Sequence, residues 1–391
     1  MQKIYDVIII WAWAAGLFTS IKSPFSLSKL ILEKWAKPWV KVLLSGWERA
    51  NVSNMDIEPQ RDYFGQNTKA LISMFKKFNN FDTMSFFAEN WINIVEEDRW
   101  RLILESWDSK ELLELLLKKS RQNNTDLKTN QEVISINKVD EIFEIQTQNS
   151  IYYSKNVVIT SGWTSFSQVW TTWDWYVWSK DFWHTIIKPQ RWLCWLVSKR
   201  NFEEISGVST DLQLELFDKN NTKKPIYTEF WPFLFTHFWV SWPIIFNTAV
   251  ALWNYLNSIK LDDFISWLDL EKVPKNEIQD YITREYLKQN IYLKLTFNPE
   301  NTPKRLHKFF DLENELNQTQ EVYLQDFRTW KEAKVTTGWV KLDELDNNLE
   351  SKLIKWLYFA WEILDITGKT WWFNLQFAWT SAAIVWENLG K

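Results

Sequence analysis

Glycine is scarce in this chain: 391 residues carry only 8, where ordinary usage of roughly 7% would give about 27. Cysteine is nearly absent, and the lone Cys194 excludes an internal disulfide and any dithiol redox couple. Three scattered histidines, His184, His237 and His307, make no zinc-type cluster. An excess of one charge is missing too. Against 49 acidic residues stand 45 basic ones, leaving −4, which gives no electrostatic footprint for nucleic acid. The pairs Lys76-Lys77 and Lys118-Lys119 read as solvated faces. No leader is expected, because the first residues run straight into a strand bounded by Asp6 and a turn. The most apolar later segment, 233–256, is broken by His237, Ser241, Pro243 and Asn247. It lacks the ~20 predominantly apolar residues of a membrane span and reads as buried core. The expectation is a cytoplasmic protein without membrane association, long enough for two or three domains.

Tryptophan, by contrast, is abundant, at 29 residues. Added to the 8 glycines, the 29 tryptophans make 37, enough to cover an ordinary glycine count of about 27 with some genuine tryptophan left over. Tryptophan also stands where only glycine suits the backbone: Lys37-Pro38-Trp39, Thr172-Trp173-Asp174-Trp175, Ser241-Trp242-Pro243 and Lys369-Thr370-Trp371-Trp372-Phe373. Such turns need φ > 0 or close backbone approach, which an indole cannot supply. Some bacterial lineages read UGA as glycine, while common translation tables read it as tryptophan. Most of these tryptophans are therefore expected to be mistranslated glycines. The alternative is a truly tryptophan-rich protein.

The N-terminus has a recognisable layout. Tyr5-Asp6-Val7-Ile8-Ile9-Ile10 is a strand-forming run leading into Trp11-Ala12-Trp13-Ala14-Ala15-Gly16 and a helix-compatible stretch, 17–22. A second apolar run, Leu30-Ile31-Leu32, ends on Glu33. Strand, tight turn, helix, strand and terminal acid make a dinucleotide-binding βαβ unit, with the acid about 20 residues past the turn to receive ribose hydroxyls. With glycine at 11 and 13, the turn reads G-x-G-x-x-G. Trp11, Trp13, Ala14, Ala15, Gly16, Glu33 and Lys34 are the candidate cofactor contacts here.

With glycine restored at 35, 39 and 47, residues 32–54 read LEKGAKPGVKVLLSGGERANVSN. The segment resembles the BaiN/YhiN-like NAD(P)/FAD-dependent flavoproteins, in which it ends close to SGGGRCNVTN. Two departures stand out: Glu48 replaces a glycine, and Ala50 replaces the cysteine, which removes the family's thiol. The turn at Gly46 offers N–H groups to anionic oxygens. Arg49 adds a fixed positive fork, and Asn51 a side chain that both donates and accepts. Further along, Asn156-Val157-Val158-Ile159-Thr160-Ser161-Gly162-Trp163 is similar to the family's strand-ATGG element, which implies that Gly162 and Trp163 lie near FAD. The resemblance also puts the Val133 backbone against adenine, although plain strand packing explains it equally. Restored, 169–176 reads VGTTGDGY and 234–243 reads LFTHFGVSGP, both family-like. Asp174 there is either functional or a buried turn residue, and His237 either faces flavin or substrate or is structural.

The C-terminus carries the strongest likeness. Restored, 357–365 reads LYFAGEILD, followed by ITGKTGGFNLQFAWTSAAIVGENLGK. A strand ending in a Gly-Glu pair, a glycine turn, and a helix beginning near Asn374 would direct N–H groups and positive dipole at the anionic flavin edge. Glu362 or Asp365 would accept from ribityl hydroxyls, and Trp371, Trp372, Phe373 and Asn374 complete the expected cofactor set. Trp379 falls where the family tolerates an aromatic, so it can be genuine.

Elsewhere, 60–121 reads mainly helical, interrupted by a turn between strands at Asp98-Arg99-Trp100-Arg101. Arg99 and Arg101 are either surface charges or substrate-facing. Asp108-x-x-Glu111 is a capping-box start. Residues 131–160 alternate with period 2, which signals strands and hairpins. Beyond about 190, alternation at Leu212, Leu214 and Leu216 suggests a β-rich insertion, whereas 250–320 is charged and helix-periodic. The fold class expected is α/β, a split Rossmann-type FAD-binding domain (1–190 and 341–391) with an inserted β-rich domain (191–250, returning at 321–340) and a small helical cap (251–320). The resemblance implies an FAD-dependent oxidoreductase moving a hydride between flavin and a small-molecule substrate, with NAD(P)H as electron donor. No side chain stands out as acid or base, and neither a metal nor an oligomeric state can be named. An RNA-modifying flavoprotein is the second reading, since related folds act on tRNA, and the net charge counts against it. A non-catalytic protein with a degenerate nucleotide site is the third, the literal consequence of the tryptophans.

Overall fold

The apolar N-terminal run becomes the strand Ile4–Ile10, at the centre of a parallel sheet in the computed structural model. The structure describes residues 3–38, 50–161, 174–270, 273–275 and 277–389. Ile4–Ile10 pairs in parallel with Lys29–Leu32 on one side and Ile151–Ile159 on the other. Thr125–Lys128 extends the sheet beyond Lys29–Leu32, and Leu357–Phe359 pairs with the second half of Ile151–Ile159. A parallel strand covered on both faces is apolar throughout rather than alternating, and Val7 to Ile10 are fully buried. Val157 faces both Ile8 and Leu357 across the ladders, so the two chain ends share one sheet, as the split-domain reading requires. The hairpin Val133–Val139 and Ile142–Thr147 joins antiparallel to the first half of Ile151–Ile159.

Helix Ala14–Lys22 packs between Ser109–Gln122 and the C-terminal helix Trp371–Val385. Every residue from Trp372 to Val385 is buried, the signature of a helix enclosed on all sides. Phe18, Phe86, Phe87 and Trp379 meet edge to face in that core. At the start of Ser109–Gln122, the Asp108 carboxylate accepts from the Lys110 N–H at 2.9 Å, and Glu111 accepts from the Ser106 hydroxyl.

Two units emerge, residues 1–190 with 336–391, and residues 191–335. The chain leaves the first along Ile186–Trp192 and returns along Val335–Val340, strands that pair with each other. The second unit is a closed barrel of Leu196–Ser198, Trp239–Ser241, Tyr227–Phe235, Ser209–Asp218, Ile291–Phe297 and Thr319–Phe327. Leu212, Leu214 and Leu216 stand opposite Phe297, Leu295 and Leu293 in its wall, all buried. That corrects the expected helical cap at 251–320. Helices Ile278–Asn290 and Lys304–Phe310 are present, but they belong to the barrel unit, and 291–297 supplies a barrel strand. In the sequence, the period-2 set Ile291, Leu293, Leu295 and Phe297 is short and follows directly on the charged helix ending at Asn290. Asp218 ties helices Pro243–Ser258 and Ile278–Asn290 to the barrel, accepting from the Tyr255 and Tyr286 hydroxyls at 2.8 and 2.5 Å.

Candidate functional site

Four parallel strands end along one edge of the sheet at Ile10, Leu32, Ile159 and Phe359. Ligands of open α/β sheets bind outside such carboxyl ends. Directly beyond them come Trp11, Glu33, Thr160 and, after Ala360, Trp361. Trp11 has φ 83°, and its N–H donates to the Leu32 carbonyl at 2.8 Å. Trp13 is the N-cap of Ala14–Lys22, with no side-chain cap. Ala14, Ala15 and Gly16 form the buried first turn. A Cβ on Gly16 would lie 2.1 Å from the Trp11 carbonyl and 2.7 Å from Thr160 Oγ1, so only glycine lets the helix approach the strand. Thr160, which sequence reasoning missed, fixes this corner by donating to the Ile10 and Trp11 carbonyls at 2.8 and 3.0 Å.

Glu33 is fully buried. Its carboxylate accepts from the Ala12 N–H at 2.9 Å and the Trp35 N–H at 3.0 Å. Burial pushes its carboxyl up to about 7, while those donors pull the other way. Glu33 therefore sits against the turn that follows the first strand. Lys34 pairs with Glu132. The Gln131 N–H donates to the Glu33 carbonyl at 2.8 Å, so Val133, buried two residues further on, starts its strand beside this acid.

The C-terminal candidates gather on a second corner of the same unit. Helix Trp371–Val385 begins three residues before the expected Asn374. Its N-cap Thr370 makes no side-chain cap bond. The Asn374 side-chain amide is engaged within the turn. Its Oδ1 accepts from the Gly368 N–H at 2.9 Å, and its Nδ2 donates to the Gly368 and Thr370 carbonyls at 3.1 and 2.8 Å. The amide is spent on holding the turn, a purpose its spacing alone did not reveal. Phe373 is held through its carbonyl by the Tyr63 hydroxyl at 2.8 Å, and the Arg101 guanidinium lies 5.7 Å from the Trp372 ring. Arg101 also pairs with Glu97 and Asp98, whereas Arg99 sits in the turn at φ 61°. Asp365 accepts from the Gln66 N–H at 3.0 Å, and burial lifts its carboxyl to about 6. The real glycine beside it, Gly65, could not carry a Cβ, which would fall 2.0 Å from the Asp365 carbonyl. Glu362 is buried in the turn Trp361–Ile363. Gly46, Arg49, Gly162 and Trp163 lie outside the described residues. His237 is in the barrel unit, where its carbonyl accepts from the Phe202 N–H at 2.6 Å.

Among the described residues of this unit, six side-chain oxygens are buried without a hydrogen-bond partner: those of Thr19, Ser179 and Thr336 lie elsewhere, whereas Asn51 Oδ1, Ser161 Oγ and Thr370 Oγ1 lie near the strand ends and the helix start. Ser161 follows a strand end, Thr370 stands at the N-cap position of the helix, and Asn51 begins a strand packed on that helix. Unsatisfied groups of this kind cost ~1–3 kcal/mol each, and a polar ligand along the edge would relieve them. The acid, the glycine of the first helical turn and the helix N-terminus all suit a dinucleotide. Three residues do not. The Trp11 and Trp13 indoles, buried with ring centroids 5.1 Å apart, and Trp361, 5.7 Å from Trp13, fill the turn that phosphates must approach.

A split parallel sheet with an acid on its glycine-type turn, closed by a returning strand, turn and helix, defines a Rossmann-type dinucleotide-binding protein with an inserted barrel. The model of the HI0933-like protein Rossmann domain matches residues 5–388. The chain belongs to that family, the flavoprotein family whose motifs it carries, and is an oxidoreductase by class. It is 23% identical over 410 residues to a ribosomal RNA dihydrouridine synthase of Haemophilus influenzae, covering 98% of each chain. To a 3-dehydro-bile acid delta(4,6)-reductase of Clostridium scindens it is 23% identical over 398 residues, covering 95% of this chain and 96% of that one. Among solved structures, the quinol fumarate reductase subunit FrdA of E. coli superposes with a TM-score of 0.51 at 12% identity, covering all of this chain and 70% of that one. That likeness concerns the fold. No helix among the described residues is long and apolar enough to cross a membrane.

Proposed function

We propose that this protein is an FAD-dependent reductase of carbon–carbon double bonds conjugated to a carbonyl group, with NAD(P)H as the electron donor. The observation that carries the proposal is the pair of relatives spanning nearly the whole chain. Dihydrouridine is uridine with hydrogen added across such a bond, and a delta(4,6)-reductase acts on such bonds in a dienone. FAD would supply the hydride, as cofactors carry this chemistry while the protein orients and tunes it. Glu33 would receive the adenosine ribose hydroxyls. The N-terminus of Trp371–Val385 would stabilise negative charge at the flavin edge, and Asp365 or Glu362 would accept from the ribityl chain. A cytoplasmic setting suits a donor kept reduced there. The substrate in the first reading is a small unsaturated ketone. A uracil base in ribosomal RNA is the second, favoured by the relative's name and opposed by the net charge of −4, since polyanion binding rests on basic contacts.

The test is anaerobic. Flavin-loaded protein is reduced with NADH or NADPH, then offered a cyclic enone or ribosomal RNA lacking dihydrouridine. Reoxidation of the flavin with stoichiometric saturation of one substrate supports the reading. A flavin that reduces but returns electrons only to oxygen would overturn it.

A further inference from the structure

We infer that the polypeptide made in its own cell carries glycine at nine tryptophan positions that the backbone singles out, and genuine tryptophan at Trp253 and Trp379. Among the described residues, Trp11, Trp91, Trp100, Trp107, Trp183, Trp242, Trp339, Trp356 and Trp361 have φ between 58° and 95°. The left-handed region is sterically costly for any side chain, and a bulky residue there is a genuine outlier. Of the eight remaining non-glycine residues of positive φ, Asn124, Asn130, Asp140 and Asp311 are types that tolerate it, and the other four, Ala50, Arg99, Leu193 and Leu349, are spread over three residue types. No such tolerance covers an indole.

Local hydrogen bonding shows that these are glycine positions by design. After helix Asn80–Glu89, Trp91 N–H donates to the Ala88 carbonyl and Ile92 N–H to the Phe87 carbonyl, both at 3.0 Å. After Asp174–Asp181, Trp183 N–H donates to the Lys180 carbonyl at 2.9 Å and His184 N–H to the Ser179 carbonyl at 3.0 Å. Each is a complete Schellman motif with tryptophan at C′, where glycine is the usual residue. The two side chains gain nothing in return, being 93% and 84% exposed. Trp242, at the N-cap of Pro243–Ser258, has φ 95° and ψ 164°, a region essentially reserved for glycine. Trp339 follows Gly338, and both are left-handed, at 94° and 101°. Trp11 is the first position of the nucleotide-type turn, where the chain must bend tightly.

Trp253 and Trp379 are of another kind. Both lie inside helices. Trp379 is fully buried and donates to the Val52 carbonyl at 3.0 Å. Trp253 donates to the Arg191 carbonyl at 2.5 Å and stacks on Phe327 with centroids 4.4 Å apart. Indole pairing alone does not sort the two classes, because Trp361 also donates, to the Asn374 carbonyl at 3.0 Å. The backbone does.

Peptide mass spectrometry of the protein isolated from its source cells reads the residues directly. The expected result is glycine at all nine positions and tryptophan at 253 and 379; tryptophan at the helix caps 91 or 183 would overturn the inference. A second experiment compares the literal chain with one carrying Trp→Gly at the nine positions. The substituted chain should melt on the order of 10 °C higher, or be recovered folded where the literal chain is not. Adding Trp379→Gly should lower the melting temperature again. Equal or higher stability of the literal chain would count against the inference. Neither readout involves a cofactor, so its outcome is separate from that of the FAD reading.

Discussion

Glu33 offers a sharp test of the nucleotide site without any substrate. Its carboxyl is pushed by burial from 4.5 to about 7 in the unliganded fold. A folded value above the unfolded one means that the native state binds the proton more tightly. The stabilising difference is present below about 4.5 and is lost as pH rises through 7. With ~1.4 kcal/mol for each step of one in pKa, ionising this one carboxyl costs the unliganded protein ~3 kcal/mol by pH 8. Asp365, raised from 3.8 to about 6, adds in the same direction over a lower range. Glu33→Gln separates the two. The amide cannot ionise, yet it leaves one of the two N–H donors, Ala12 or Trp35, without its acceptor, a pH-independent loss of ~1–3 kcal/mol. Urea unfolding followed by circular dichroism should therefore find the variant clearly less stable than the parent at pH 5. The gap should narrow by ~2–3 kcal/mol by pH 8. A gap of constant size would refute the argument, because it would mean that the buried carboxylate is not strained. If ribose hydroxyls donate to Glu33, FAD should also bind the parent more tightly as pH rises through 7, and the variant without that dependence.

Three further outcomes follow from the geometry. Gly16→Ala forces a Cβ to 2.1 Å from the Trp11 carbonyl. It should lower stability by at least the ~1–3 kcal/mol typical of overpacking and abolish flavin retention, both readable by thermal melt and absorbance. Asn374→Ala removes three hydrogen bonds around Gly368 and Thr370. At ~1 kcal/mol each, unfolding should register a loss on the order of 3 kcal/mol, with the Glu33 titration untouched. Thr160→Val keeps the shape and removes the bonds to Ile10 and Trp11, so a loss of about 1–2 kcal/mol is expected in the same assay.

Where periodicity and burial agreed, the sequence was readable. Ile8-Ile9-Ile10 and Val157-Val158-Ile159 are unbroken because neighbouring strands and covering helices bury both faces. The acid at the end of the second strand could be located because the unit has a fixed length. Long-range closure was harder. Ile291–Phe297 alternates as cleanly as Leu212 to Leu216, yet it lies between helical stretches, and only its partner strands in the barrel distinguish it. Thr160, Tyr63 and Ser381 could not be found from the chain, since each acts on a residue far away: Ser381 Oγ accepts from the Trp361 N–H at 3.0 Å, across the turn and helix. Gly65 left a trace. In a chain with so few glycines, Gly16 and Gly65 stand where a Cβ would run into a backbone carbonyl.

The tryptophans press this reasoning furthest. A sequence specifies a fold when its local choices agree with the global structure, and the exceptions in natural proteins are scattered over residue types and concentrated at functional sites. Here nine of the seventeen non-glycine residues of positive φ among the described residues are tryptophan, against one each of alanine and arginine and two of leucine, and they spread over helix caps, strand ends and the nucleotide turn alike, from Trp91 and Trp183 to Trp356 and Trp11. Functional strain would not place an indole on an exposed Schellman cap, because nothing there is held or bound. Selection for aromatic packing would not choose left-handed backbone, because Trp379 and Trp253 pack well with helical φ. A substitution rule acting on one codon produces the observed distribution, indifferent to burial and fixed to the positions where glycine has a task. On that account Trp11 and Trp361 are not the floor of a degenerate site: glycine at these two left-handed positions removes two of the three indoles that crowd the turn between Glu33 and Gly16.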